Sequence, residues 1–180
     1  MSIRKLTTLA VLLVLGVCSA SATAPVPRKS PELLIVESSG KQMRLSSLKG
    51  KVVMIEFLLT NCPHCLRVAQ TIAKLQWELG SGGFQPIGVA FDSGVSGQMV
   101  TKFAQQFAVN YPIGYTSSDK VDSFLGRSGT ERFRVPQMVV IDRKGVIRAQ
   151  SRPTGEKNLE DETYLRSLIQ TLLGESASSG

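Results

Sequence analysis

The chain has 180 residues, 42% of them hydrophobic, which is enough for one compact domain with a substantial core. Its formal net charge of +7 comes from 21 lysines and arginines against 14 acidic residues. The basic residues are scattered, without a cluster or interleaved aromatic residues, and this pattern argues against a nucleic-acid-binding protein. It indicates an ordinary solvated surface, with at most a weak preference for acidic partners or membrane surfaces.

The first 22 residues have the layout of a secretory signal peptide. Two basic residues come first, an apolar run ending at Val17 follows, and small residues come next. Cleavage after Ala22 leaves 19 basic and 14 acidic residues, a net charge of +5. The apolar run is too short to cross a bilayer. Lipid attachment at Cys18 is the alternative, but bulky Val17 stands where a lipoprotein signal has a small residue.

Short strands are predicted ahead of the long apolar run. Residues 23–32 contain three prolines and are expected to form an extended leader or tether. A hairpin follows, with strands Leu33–Val36 and Met43–Leu45 on either side of a turn at Ser38–Lys41. The folded domain is therefore expected to span residues 33–173, with this hairpin as an N-terminal extension.

The centre of the chain combines a buried strand, two cysteines and an amphipathic helix. Val52–Leu59 is an apolar, β-branched-rich run broken by Glu56, which is typical of a central strand buried on both faces. Cys62-Pro63-His64-Cys65 follows, and apolar residues spaced three or four apart then predict a helix up to Leu79. The two cysteines therefore lie where a buried strand meets a helix N-terminus.

This position favours thiol–disulfide chemistry. The free N–H groups and the positive end of the helix dipole stabilise an anion, here the thiolate of Cys62. Cys65, one turn further along, is expected to be buried, protonated and close enough to form a disulfide with Cys62. Pro63 has no N–H to lose at the helix start, and a protonated His64 adds positive charge beside Cys62. Two cysteines at this spacing in an exported protein form an active pair rather than a structural framework.

The rest of the chain continues the alternation of strands and helices. Strands are predicted at Phe84–Phe91 and Tyr111–Tyr115, and the spacing from Met99 to Phe107 predicts a helix between them. Residues 116–134 are polar, with one helical turn near Val121 to Leu125.

A second hairpin and a last helix complete the chain. Strands at Gln137–Ile141 and Val146–Ala149 flank the turn Asp142–Gly145. An amphipathic helix then reaches Leu173, and residues 174–180 are expected to fray. The order of elements predicts an α/β fold with a central mixed β-sheet flanked by helices.

Several motifs resemble exported thioredoxin-like proteins of the TlpA/ResA type. They are Leu45-Ser-Ser-Leu-Lys-Gly-Lys-Val-Val, the Cys-x-x-Cys at the strand–helix junction, Val135-Pro136, and Val140-Ile-Asp-x-x-Gly-Val-Ile. The resemblance covers roughly residues 30–173 and implies a thioredoxin-like fold. It also implies a cis peptide before Pro136, beside the cysteines, and a Val135 backbone that pairs with an extended substrate segment.

Glu56 completes the set of residues implied by the resemblance. It lies six residues before Cys62, the spacing at which thioredoxins carry a buried acid beneath the second cysteine. A buried carboxylate with a raised pKa can accept the proton that Cys65 loses when it resolves a mixed disulfide. The alternative is an acid that turns toward solvent at the end of a less buried strand.

The chain departs from its relatives around the cysteines. Leu58–Asn61 replaces the aromatic pair that precedes Cys-x-x-Cys in thioredoxins, and Pro63-His64 is the dipeptide of the oxidising DsbA family. Because His64 stabilises the reduced thiolate form, it makes the disulfide a stronger oxidant. The overall sequence resembles proteins that reduce their partners, whereas the Pro-His dipeptide resembles that of proteins that oxidise them. The sequence therefore leaves open whether this protein forms or reduces disulfides.

Other chemistries fit these residues poorly. Cys62, Cys65 and His64 offer at most three metal ligands, and the chain has no second histidine. A c-type haem needs a histidine where Leu66 stands, and a peroxiredoxin needs threonine or serine at Leu59. No metal is expected, and no cofactor besides the redox-active disulfide.

The sequence thus predicts a periplasmic or otherwise extracytoplasmic thiol–disulfide oxidoreductase. Its catalytic residues are Cys62, Cys65 and Glu56, tuned by Pro63 and His64, with substrate bound at Val135 and Pro136. Protein thiols and disulfides are the expected substrates, a membrane redox partner is the candidate electron donor, and the protein is expected to be a monomer. The alternative is a thioredoxin-fold binding or metal-chaperone module without redox turnover.

Overall fold

The structure, a computed structural model, describes residues 24–127, 132–155 and 157–175. The predicted signal peptide, Cys18 and most of the predicted tail lie outside these residues, so those assignments stay predictions. In the part of the chain that is described, no helix is both long enough and apolar enough to cross a membrane.

Strands and helices follow one another in nearly the predicted order. The strands are β1 (Arg28–Lys29), β2 (Leu34–Glu37), β3 (Gln42–Arg44), β4 (Val52–Leu58), β5 (Phe84–Ala90), β6 (Ile113–Tyr115), β7 (Gln137–Ile141) and β8 (Val146–Gln150). The helices are α1 (Pro63–Leu79), α2 (Gly97–Gln106), α3 (Ser118–Leu125) and α4 (Glu162–Gly174). Short 3-10 turns occupy Leu45–Leu48, Gly80–Gly82 and Lys157–Glu160.

The strands that the structure describes form one mixed sheet in the order β1-β8-β7-β4-β5-β6-β2-β3. The central strand β4 runs parallel to β5 and antiparallel to β7. The predicted hairpins are present, with β2 paired to β3 and β7 paired to β8. These pairings confirm the predicted mixed sheet with an N-terminal hairpin.

Helices cover both faces of this sheet, and β4 separates two hydrophobic clusters. All seven residues of β4 are buried, as the unbroken apolar run predicts. Its residues Val52, Met54 and Leu58 pack with α1, α2 and α4, whereas Val53, Ile55 and Phe57 pack with α3. Each fully buried aliphatic or aromatic side chain of this kind contributes about 1.5–3 kcal/mol to folding.

Short polar side chains and a glycine define several helix ends. Ser96 accepts a hydrogen bond from the backbone N–H of Met99 at the start of α2, and Asp161 accepts one from Tyr164 at the start of α4. At the end of α3, Gly126 has a φ of +67°, a left-handed conformation that glycine adopts without strain.

Two segments differ from the sequence prediction. Part of the predicted leader is not a free tether, because Arg28 and Lys29 pair with β8. The Arg28 guanidinium also donates to the Gln150 side chain at 2.6 Å and to the Phe124 carbonyl at 3.0 Å. The helical turn predicted near Val121 is a helix of eight residues, α3. The pairing of Arg28 and Lys29 depends on the tertiary structure, since a two-residue strand has no periodicity of its own. In α3 the apolar residues Val121, Phe124 and Leu125 have helical spacing, and the helix extends from them back to Ser118.

Candidate functional site

Cys62 and Cys65 lie at the N-terminus of α1, at the carboxyl end of β4. Cys62 is the N-cap residue, and its Sγ accepts the backbone N–H of Cys65 at 3.2 Å. Pro63 occupies the first turn, where its missing N–H costs no helical hydrogen bond. Cys62 is half-buried and Cys65 is fully buried, and both are free thiols. A substrate can therefore reach Cys62, while Cys65 is sheltered behind it.

The sheltered position changes the acidity of Cys65. Burial raises the pKa of this thiol, and its hydrogen bond with Cys62 and the negative charges of Cys62 and Glu56 raise it further. A hydrogen bond from the Leu59 backbone acts in the opposite direction. Cys65 is consequently a poor nucleophile until a base takes its proton, and this separates the roles of the two cysteines.

Glu56 is the buried acid that the sequence predicts. It lies in β4 with no exposed surface, on the sheet face that carries Met54 and Leu58 and packs against α1. Burial raises the pKa of its carboxyl group from 4.5 to about 8, and a hydrogen bond from Tyr111 acts in the opposite direction. Its Oε1 has no hydrogen-bond partner among the described residues. A carboxyl group with a pKa near 8 can take up or release a proton close to neutral pH.

Tyr111 belongs to the candidate site, although the sequence pattern indicates only that it begins a short strand. Its hydroxyl donates to Glu56 Oε2 at 3.2 Å and lies 3.5 Å from the carbonyl oxygen of Ala69 in α1. Burial, followed by the negative charge of Glu56, raises the pKa of Tyr111 well above its usual value. Tyr111 therefore remains a hydrogen-bond donor that orients the carboxylate.

Asp92, just after β5, holds the loop that leads into the cysteines. Its carboxylate accepts the backbone N–H of Thr60 at 2.9 and 3.1 Å and the Thr60 hydroxyl at 2.9 Å. The backbone N–H of Cys62 in turn donates to the Leu59 carbonyl at 3.1 Å. This hydrogen bonding to a charged group fixes the approach to Cys62, a role that the sequence prediction did not assign.

Val135 and Pro136 precede β7 and lie at the end of the sheet where β4 leads into the cysteines. Gln137 in β7 pairs with Phe57 near the end of β4, so the residues before Gln137 lie beside the loop that leads to α1. The Val135–Pro136 peptide bond is cis, and both Val135 and Cys62 pack against the hydrophobic cluster that contains Cys65. In the described part of the chain, the backbone of Val135 makes no hydrogen bond.

The side chain of Gln137 stabilises the loop that contains Val135 and Pro136. Its side-chain Nε2 donates to the carbonyl oxygens of Arg134, at 2.6 Å, and Arg152, at 3.2 Å. The Arg134 backbone N–H also donates to the carbonyl of Pro153 at 2.8 Å. The segment before Pro136 is therefore held against the loop that follows β8.

His64 is half-exposed and is held at both ring nitrogens. Its Nε2 lies 2.9 Å from Glu160 Oε2, and its Nδ1 lies 3.0 Å from the Arg67 guanidinium. A guanidinium group can only donate, so Nδ1 accepts in this arrangement and Nε2 carries the proton that goes to Glu160. Arg67 therefore places a permanent positive charge beside the imidazole.

Comparison with known proteins identifies the family. The Redoxin family profile matches residues 20–168, which is most of the chain. The chain belongs to the Redoxin family. This membership, with the relatives below, confirms the prediction of a thiol–disulfide oxidoreductase from the thioredoxin superfamily.

The Redoxin chain is similar to the thiol-disulfide oxidoreductase ResA of Bacillus anthracis, with 26% identity over 144 residues, 79% of this chain and 78% of the relative. It also matches a solved structure of a candidate protein disulfide isomerase from Bacteroides thetaiotaomicron, with TM-score 0.69 and 29% identity, covering 86% of this chain and 95% of the other. A thioredoxin-family thiol:disulfide interchange protein from Chlorobium tepidum shares the fold, with TM-score 0.66 and 22% identity over 84% of this chain and 99% of that one.

The Redoxin chain thus brings Glu56, Cys62, Cys65, Val135 and Pro136 together at one edge of its sheet. Among the residues described, no group of three or more histidine, cysteine or acidic side chains is placed to hold a metal ion. The residues that sequence reasoning missed are Tyr111, Asp92, Arg67 and Glu160. Tyr111, Asp92 and Glu160 act through contacts between segments distant in sequence, which local pattern cannot supply. Arg67 lies three residues after His64 in α1, and this i,i+3 spacing is the signal that could have identified it.

Proposed function

We propose that this Redoxin protein exchanges disulfides with protein substrates outside the cytoplasm, using Cys62 as the nucleophile and Cys65 as the resolving thiol. The observation that carries the proposal is the unequal pair: Cys62 is accessible and caps α1, whereas Cys65 is fully buried and hydrogen-bonded to it. The redox-active disulfide is the only cofactor that this chemistry requires.

The proposed reaction begins at Cys62. Its thiolate attacks one sulfur of a substrate disulfide, the substrate S–S bond breaks, and the other substrate sulfur leaves as a thiolate. The negative charge of Cys62 before attack is stabilised by the helix N-terminus, including the N–H of Cys65 that points at Sγ. The product is a mixed disulfide between Cys62 and the substrate.

Cys65 then resolves the mixed disulfide. Glu56, when ionised, takes the Cys65 proton, and the resulting thiolate attacks Cys62 Sγ. The bond to the substrate breaks, the second substrate thiolate leaves, and the protein holds a Cys62–Cys65 disulfide. Two electrons have passed from the protein to the substrate, and the oxidising reaction is the same sequence reversed.

The cis-proline loop supports binding of an extended substrate. The Val135 backbone has no hydrogen-bond partner in the described part of the chain, so it can pair with a substrate strand as an exposed sheet edge does. Gln137 holds the loop in place from the inside. Main-chain pairing of this kind accepts many sequences, which suits an enzyme that acts on protein thiols.

The first experiment measures the equilibrium between the Cys62–Cys65 pair and glutathione on the mature protein. A reduction potential near about −120 mV indicates that the protein introduces disulfides, and one toward about −270 mV indicates that it reduces them. We expect full exchange with glutathione in either case. No exchange with glutathione or with any dithiol contradicts the proposed activity.

Export is proposed from the N-terminal sequence alone. The basic start, the apolar run ending at Val17 and the small residues before Ala22 predict removal of 22 residues on secretion. We expect the mature protein to begin at Thr23, to be monomeric, and to receive or deliver electrons through a membrane redox partner. Mass spectrometry of protein from the extracytoplasmic fraction checks this, and a lipid-modified Cys18 at the N-terminus contradicts it.

A further inference from the structure

Glu160 lies in the 3-10 turn Lys157–Glu160, which approaches the start of α1. The residue before it, Leu159, is 2% exposed and belongs to the hydrophobic cluster that includes Cys65. The residue after it, Asp161, caps α4 through a 2.8 Å hydrogen bond from the Tyr164 backbone. Glu160 is therefore held between an anchored residue and a capped helix, and its side chain has a defined place.

That place is directly against His64. Glu160 Oε2 lies 2.9 Å from His64 Nε2, and the Glu160 side chain is only 21% exposed. On the other side of the ring, Arg67 donates to Nδ1 at 3.0 Å. The His64 imidazole is thus held at both ring nitrogens. One of its two partners, the Glu160 carboxylate, lies 96 residues further along the chain.

The carboxylate changes the charge beside Cys62. A protonated histidine alone adds one positive charge, which stabilises the thiolate and makes the disulfide a stronger oxidant. Glu160 places one negative charge against the imidazole, which opposes any positive charge on His64 and the charge of Arg67 on the other side of the ring. The helix N-terminus still favours the thiolate, but the contribution of the histidine is cancelled.

We infer that Glu160 is a positioning residue that acts through His64 to set the redox poise of the Cys62–Cys65 pair. By pairing with the imidazole, it keeps the disulfide a weaker oxidant than the Cys-Pro-His-Cys motif by itself produces. The inference rests on the proposed function, because it concerns the equilibrium of that exchange. It also supplies a physical reason why a chain with an oxidant's dipeptide can act as a reductant.

The test is Glu160→Gln, which keeps the size of the side chain and removes its charge. We expect the equilibrium with glutathione at neutral pH to shift about tenfold toward the dithiol form of the protein, which corresponds to about 30 mV. Glu162→Gln is the matched control, since Glu162 makes the same charge change nearby but pairs with Lys74 and Arg166, each at 2.8 Å. The control is expected to leave the equilibrium within twofold of the unsubstituted protein.

A double-mutant cycle separates action through His64 from a general charge effect. In a His64→Gln background, Glu160→Gln is expected to change the equilibrium by less than twofold. An equal shift with and without His64 overturns the positioning role, and so does an unchanged equilibrium in Glu160→Gln alone.

The imidazole itself gives a second readout that does not depend on exchange. His64 is the chain's only histidine, so its ¹⁵N signals are assigned without ambiguity. We expect the unsubstituted protein to show the Nε2–H form and Glu160→Gln to change the signals of both nitrogens. If the unsubstituted protein exchanges with no dithiol, the proposed function fails, whereas unchanged ¹⁵N signals in Glu160→Gln overturn the inference about Glu160.

Discussion

Cys62→Ser is expected to abolish disulfide exchange, and Cys65→Ser is expected to preserve the first step and block the second. Serine at position 62 removes the accessible nucleophile at the start of α1, and buried Cys65 cannot replace it because it is fully enclosed and its pKa is raised by that burial. Serine at position 65 leaves Cys62 free to attack, but the mixed disulfide that results has no internal thiol to resolve it.

Mass spectrometry after incubation with oxidised glutathione distinguishes the two variants. Cys65→Ser should accumulate a glutathione adduct on Cys62, and Cys62→Ser should accumulate none. The unsubstituted mature protein is the control: after removal of the predicted signal peptide its only cysteines are Cys62 and Cys65, and it should form their disulfide without accumulating an adduct. A stable adduct on Cys65 in the Cys62→Ser protein contradicts the assignment of roles.

Glu56→Gln is expected to slow the resolution of mixed disulfides by roughly 10²-fold, the lower end of what a general base contributes. In the unsubstituted protein, the rate should rise with pH as the Glu56 carboxyl ionises around its pKa of about 8. Glutamine cannot accept a proton, so this rise should disappear. Stopped-flow measurement of resolution between pH 6 and 9 checks both effects, and an unchanged pH profile removes Glu56 from the mechanism.

The same substitution has a separate effect on stability, whose sign follows from the pKa shift. The carboxyl of Glu56 binds its proton more tightly when folded, with a pKa of about 8 against 4.5 unfolded. Its contribution to stability is therefore fully present below pH 4.5 and is lost as the pH rises to about 8. Within that window the loss is about 1.4 kcal/mol per pH unit.

Urea denaturation across this pH range measures the effect. Glu56→Gln should remove this contribution and flatten the dependence of unfolding free energy on pH. Tyr111→Phe serves as the comparison, because it removes the hydrogen bond that lowers the Glu56 pKa. Because Tyr111→Phe raises the Glu56 pKa further, the free energy of unfolding should continue to fall above pH 8. If its dependence on pH is as flat as that of Glu56→Gln, the assigned hydrogen bond is contradicted.

Local pattern in the sequence determined the parts of this protein that depend on neighbouring residues. The unbroken apolar run at Val52–Leu58 specified a strand buried on both faces, and it is the centre of the sheet. The change from that run to helical spacing placed Cys62 at a helix N-terminus, where it is the N-cap. An acid inside such a strand could be expected to be buried, and Glu56 is.

The tertiary structure decided which distant side chains complete the site. Tyr111 reaches Glu56 across 55 residues of chain, and Glu160 reaches His64 across 96. The pairing of Arg28 and Lys29 with β8 likewise depends on an edge that exists only after the hairpin has formed. Hydrophobic periodicity and helix capping report contacts within one element, whereas these hydrogen bonds depend on how separate elements pack. The sequence therefore determined where the two cysteines lie, and the packing determined which distant side chains contact the residues around them.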